Sequence, residues 1–172
     1  MIEQQKRSTY WLSITALLMA ITCIFTMFIR IPIPLGYANL GTSIILVAVF
    51  FFGVKSGVLA GSIGAALADF LSGFNEWILP TLLIKAALAV TAASIGKRKG
   101  KFHLKSFRTA IAVIVSMAVM IIGYIIGGAI LYGGMEAGLS SAPGLIAEGV
   151  INSIAFYIFA IPCSKAMKKG VL

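Results

Sequence analysis

Charge is scarce in this chain. Only 11% of its 172 residues are charged, against about a quarter in an ordinary soluble domain. Five of them are acidic, and a surface so poor in charge excludes a soluble monomer. Histidine occurs once, at His103 in a basic stretch, and Cys23 and Cys163 stand in separate apolar runs without metal-ligand spacing. The cysteines therefore read as packing thiols, and no metal or other cofactor is expected. There is no G-x-x-x-x-G-K-[ST] phosphate loop and no H-E-x-x-H pair, so neither ATP hydrolysis nor zinc-dependent catalysis has a motif to rest on. An enzyme is not expected, and any transport step must draw its energy from a partner or an ion gradient.

What the chain has in abundance is apolar sequence, 60% of all residues. At about 20 residues per bilayer crossing, the length accommodates six helices in an all-α bundle, one transmembrane domain over residues 1–172. Continuity of the apolar runs, punctuated by Gly, Pro and charge, sets the spans at 10–29, 39–53, 56–72, 77–96, 106–132 and 144–167. The second is short and reads as tilted or partly loop-like; the fifth is long enough to tilt. The first run follows Lys6 and Arg7 but has no small-x-small cleavage site before Arg30, so it reads as a retained helix and not a signal peptide.

The net charge of +9 is carried in clusters between the apolar runs. Lys97, Arg98, Lys99, Lys101, Lys105 and Arg108 fill one connection, and Lys165, Lys168 and Lys169 close the chain. With Lys6, Arg7 and Lys55 they fall on one side of the membrane, leaving Arg30 on the other. The positive-inside rule makes the crowded side cytoplasmic, with both termini. This is a loop signature of a plasma-membrane protein and does not describe a nucleic-acid face.

Ionisable groups inside a membrane each cost about 2.5–3.5 kcal/mol or more, so each needs a partner or a polar cavity. Asp69, Lys85, Glu148 and Asn152 all fall in the outer halves of their spans, and the last two, four residues apart, share a helix face. Two readings stand: a cavity for a small polar molecule, or an ion pair between Lys85 and Glu148 that only aligns helices. Tyr37, Phe74 and Trp77 gather at the same level, where they either stack on a flat ring or anchor the interface. The first outer connection, Arg30–Asn39, is stiffened by Pro32 and Pro34 and is apolar for an exposed loop. It reads as a lid carrying Asn39 to a ligand, or as an interfacial turn. Small residues repeat every four positions at Ala16/Ala20, Gly57/Gly61/Ala65 and Gly123/Gly127, the pattern of close helix crossings.

Taken together, the segments Ala16-Leu-Leu-Met-Ala20, Arg30-Ile-Pro-Ile-Pro-Leu-Gly-Tyr-Ala-Asn-Leu-Gly41, Gly61-Ser-Ile-Gly-Ala-Ala-Leu-Ala-Asp-Phe-Leu-Ser-Gly73 and Pro80-Thr-Leu-Leu-Ile-Lys85 resemble the S components of energy-coupling factor transporters. The likeness is greatest to the branch assigned to hydroxymethylpyrimidine and related vitamin precursors. It implies a six-helix bacterial membrane subunit that captures a small water-soluble vitamin, hydroxymethylpyrimidine or pyridoxine-like, at its outer face. Delivery would run through a membrane T component and two ATPase subunits. By the same resemblance Ala16 and Ala20 would pack against the T component, with Tyr37, Asn39, Asp69, Phe74, Trp77, Lys85, Glu148 and Asn152 as ligand contacts. The branch carries an acid after Asn-Leu-Gly, where this chain has Thr42. The alternative from the residues alone is a small ion-coupled secondary carrier using Lys85, Glu148 and Asp69, although no inverted repeat with broken helices is evident.

Overall fold

Among the described residues the regular structure is helical apart from one two-stranded ribbon. A computed structural model describes residues 2–96, 103–104 and 106–168. Lys97, Arg98, Lys99, Lys101, Lys105 and Lys169 lie outside the described residues. The elements run α1 (Ile2–Phe28), β1 (Arg30–Ile33), β2 (Gly36–Asn39), α2 (Gly41–Val47), α3 (Val54–Leu71), α4 (Ile78–Gly96), α5 (Phe107–Leu131), α6 (Met135–Ser140) and α7 (Ala142–Lys168). Among the described residues, five helices are long and apolar enough to cross a membrane. The expected spans fall on α1, α2, α3, α4, α5 and α7.

The second span is the exception in length. Gly41–Phe52 is 12 residues long, with a wider, π-type turn over Ala48–Phe52. At 1.5 Å per residue it covers only about 18 Å of a hydrocarbon core about 30 Å thick. Every residue from Gly41 to Phe50 is buried. A helix apolar on all sides and sheathed on all sides belongs at the centre of a bundle, and α2 packs against α1, α3, α4 and α7. The missing depth at its N-terminal end is taken up by the β-ribbon. Gly53, at φ 100°, turns the chain sharply from α2 into α3.

The connection expected as a rigid loop is thus a hairpin, with Pro32 paired to Tyr37 and Ile33 to Gly36. Both strands are edges, so Pro32 breaks no ladder. The hairpin folds back onto the bundle: Leu35 N–H donates to Ser141 Oγ at 3.1 Å, and Ile33 lies directly against Gly144 of α7. The short helix α6, between α5 and α7, was not expected from the sequence; its Gly138 sits against the backbone of α5 at Ile125 and Ala129.

The repeated glycines are internal contacts. Gly57 and Gly61 of α3 face Val49 and Ile45 of the second span, while Gly123 and Gly127 of α5 face Ile84 and Trp77. Outward positions are apolar, as lipid requires: Leu79, Leu83, Ile114, Ile122, Ile130 and Ile158 are all exposed. A Cβ on Gly57 would stand 2.9 Å from the Val49 backbone, whereas on Gly123 it would meet the Ile84 side chain at the same distance. Gly57→Ala is therefore expected to lower stability by about 1–3 kcal/mol and Gly123→Ala by less, because Ile84 can change rotamer. Thermal unfolding of the two variants in one detergent checks the order.

Candidate functional site

Lys85 projects from α4 into the bundle and is 1% exposed. Its Nζ donates to Thr42 Oγ1 of α2 at 2.6 Å and to Met120 Sδ of α5 at 3.4 Å. Glu148 Oε1 of α7 stands 3.7 Å away, and the Tyr124 ring of α5 lies below the ammonium at 5.2 Å. Four helices meet on this one cation. Thr42 occupies the place of the acid in the resembled branch, so the ammonium is held by a neutral hydroxyl and paired in charge with Glu148 at a distance too long for a hydrogen bond.

Between this cluster and the hairpin lies a cavity of about 40 Å³, part of it opening outward. Seven of the eight candidate ligand contacts line it: Tyr37, Asn39, Asp69, Phe74, Trp77, Lys85 and Glu148. Tyr37 and Phe74 pack with ring centroids 5.0 Å apart, and Trp77 rests on Tyr124 at 5.6 Å. These rings form an aromatic wall. Tyr37 Oη donates to Asp69 Oδ1 at 2.6 Å, tying the hairpin to α3. Burial, reinforced by the Asp69 carboxylate, pushes the Tyr37 hydroxyl above the ordinary tyrosine range, so it stays a donor. Arg30 caps the outer face of the same ring at 5.3 Å.

Asn152 is placed elsewhere. It is fully buried and is not among the cavity's lining residues. Its Oδ1 accepts from Ser43 N–H at 2.8 Å, and its Nδ2 donates to the carbonyls of Asn39 at 2.6 Å and Glu148 at 2.9 Å. It fastens the turn from β2 into α2 onto α7. The Asn39 side chain is also partly committed, its Oδ1 accepting from Gly41 N–H at 3.0 Å.

Sequence reasoning passed over Tyr124, Thr81, Thr26 and Ser141, which also line the cavity. Tyr124 and Thr81 hydroxyls lie 3.2 Å apart. A tyrosine in mid-span was the available signal for the first. The hydroxyls of threonine and serine carry no such signal, since in any helix they can bond their own backbone, as Ser62 does to Val58 O. No group of three potential metal ligands occurs among the described residues.

Ala16 and Ala20 are both exposed on the outward face of α1, away from the cavity.

An apolar helical bundle of this kind, enclosing a polar, aromatic-walled cavity, defines a multi-pass membrane protein. The chain belongs to the S components of energy-coupling factor transporters: the family described as ECF-type riboflavin transporter, S component, matches residues 6–169. It is 36% identical over 110 residues to a Pyrococcus woesei protein described as an uncharacterized protein in the gap 3′ region, covering 63% of this chain and 71% of that one. It is also 28% identical over 125 residues to the thiamine precursor transporter HmpT of Lactococcus lactis subsp. cremoris (strain MG1363), covering 71% and 69% of the two chains. Its fold is that of a solved S component of a bacterial ECF transporter, with a TM-score of 0.76 over 94% of this chain and 99% of that one, at 23% identity.

Removing Lys85 alone leaves Glu148 buried without its counter-charge. Lys85→Met is expected to cost about 3–5 kcal/mol, and Lys85→Met with Glu148→Gln to recover most of it. Denaturant unfolding of both variants in micelles measures the difference.

Proposed function

We propose that this chain captures a small water-soluble vitamin or vitamin precursor, of the hydroxymethylpyrimidine or pyridoxine type, in the cavity beneath the hairpin. The observation that carries the reading is the convergence of an aromatic wall with Asp69, Lys85 and Glu148 on one buried space. Flat faces would sandwich a heteroaromatic ring while the charged groups address its edge. The relative named as a thiamine precursor transporter supports a vitamin-precursor cargo. The family description names riboflavin, which supports a second reading, a flavin in the same cavity. The ion-coupled carrier is not carried forward, because S-component membership supports a subunit energised by others.

In this reading the chain faces the outside with its hairpin end and hands its cargo to a T component driven by two ATPase subunits. Ala16 and Ala20, exposed one turn apart on α1, supply the flat strip against which a T-component helix would pack. The hairpin is the cover, latched by Tyr37 to Asp69 and by Leu35 to Ser141.

Purified protein is expected to retain or bind a pyrimidine or pyridine vitamin without ATP, read by native mass spectrometry and by thermal shift against a vitamin panel that includes riboflavin. Accumulation in cells is expected only when T and ATPase subunits are co-expressed. Uptake by the chain alone would reject this division of labour. Ala16→Arg with Ala20→Arg is expected to leave vitamin binding intact and to abolish co-purification with the T component, since a long cation cannot enter a close helix crossing. Recovery of the full complex from that variant would remove α1 from the interface.

A further inference from the structure

Two carboxylate oxygens in the cavity wall are buried without a hydrogen-bond partner among the described residues: Asp69 Oδ2 and Glu148 Oε1. They belong to side chains only 6% and 2% exposed. Both residues line the cavity. They come from different helices, α3 and α7, and each has its geometry fixed from elsewhere. Asp69 is held through its other oxygen by Tyr37 at 2.6 Å. The nearest cation to Glu148, Lys85 Nζ, is drawn toward Thr42 and Met120 and stays 3.7 Å away. A buried acceptor left unpaired is costly, and a charged one more so. A carboxylate can only accept.

We infer that the two oxygens read the ligand as a bidonor: the molecule held in this cavity carries two separate N–H or O–H donors on its edge, one for Asp69 Oδ2 and one for Glu148 Oε1. This rests on the vitamin reading and sharpens it. An aminopyrimidine with a hydroxymethyl arm has two such donors on adjacent ring substituents. A flavin's pyrimidine edge instead presents two carbonyl acceptors flanking one N–H, which would set acceptor against acceptor at the wall. The polarity of the ring edge, as well as size, thus separates the two substrate classes.

The test uses three probes: 4-amino-5-hydroxymethyl-2-methylpyrimidine, its counterpart with hydrogen in place of the 4-amino group, and its 4-amino-5-methyl counterpart, which lacks the hydroxyl. Affinities are measured by calorimetry on the full chain in detergent, for wild type, Asp69→Asn and Glu148→Gln, each first checked for folding by thermal unfolding. Wild type is expected to bind the first probe about 10- to 100-fold more tightly than either of the other two, the range for one charge-assisted hydrogen bond. Each variant is expected to lose its discrimination against one of the two analogues and keep it against the other, with the assignments opposite for the two carboxylates. A loss that is uniform across all three probes makes the carboxylates structural and overturns the inference. Wild type that binds riboflavin and none of the pyrimidines overturns it while leaving vitamin capture standing. Wild type that binds neither class overturns both.

Discussion

A lysine amine in the middle of a lipid-embedded bundle is the constraint around which this molecule is arranged. Water is not there to solvate Lys85, so its partners must come from the protein. They come from three other helices: Thr42 on α2, Met120 on α5 and Glu148 on α7. One side chain on α4 therefore fixes the relative placement of four helices. Its neighbourhood cannot be close-packed hydrocarbon, because polar groups that answer a charge bring their own hydrogen-bond requirements with them. The cavity above Lys85 and the hairpin that covers it follow from that. A full-length second span would fill this volume with helix; the 12-residue one stops short, and the Asn152 amide fastens its entry turn to α7.

The spans were legible because a bilayer imposes a length and a composition on anything that crosses it. The lack of charge in the interior had the same effect on the site: Asp69, Lys85 and Glu148 stand out as ionisable groups in apolar sequence. The rest has a physical reason for being hidden. The Ile-Pro-Ile-Pro run has neither the spacing of a helix nor a turn signal of the Asn-Gly kind, and an isolated two-stranded ribbon is marginal in water. It stands here because Leu35 is held by Ser141 between α6 and α7, Tyr37 by Asp69 of α3 and Ile33 by Gly144 of α7. Asn152 was grouped with Glu148 by a spacing that does put both on one face. One turn along that face the neighbour is the backbone of the β2–α2 turn, and an amide's paired donor and acceptor suit backbone better than they suit open space.

The small-residue stripes divide on the same basis. In a medium where hydrophobicity does not drive helices together, glycine allows backbones to approach and dispersion to act. Gly57, Gly61, Gly123 and Gly127 do so within the bundle, each against a named neighbour. Ala16 and Ala20 have the identical spacing but lie on the outward face of α1. Spacing alone does not distinguish a contact already made from a surface still available; burial does.

Thr42 ties the charge balance of the cavity together. In the branch this chain resembles, the residue after Asn-Leu-Gly is an acid. Adding one here would set a third carboxylate around a single ammonium already shared by Glu148 and approached by Asp69, and like charges at that range raise one another's cost of ionisation. A hydroxyl satisfies one Lys85 proton at 2.6 Å without adding charge. It also keeps the ammonium short of hydrogen-bond distance from Glu148. Thr42 and Glu148 are thus two halves of one arrangement: the counter-charge sits on α7, where Glu148 Oε1 faces the lysine at 3.7 Å without a hydrogen bond to it. Thr42, on the neighbouring helix α2, thus takes the lysine's hydrogen bond while Glu148 supplies the counter-charge.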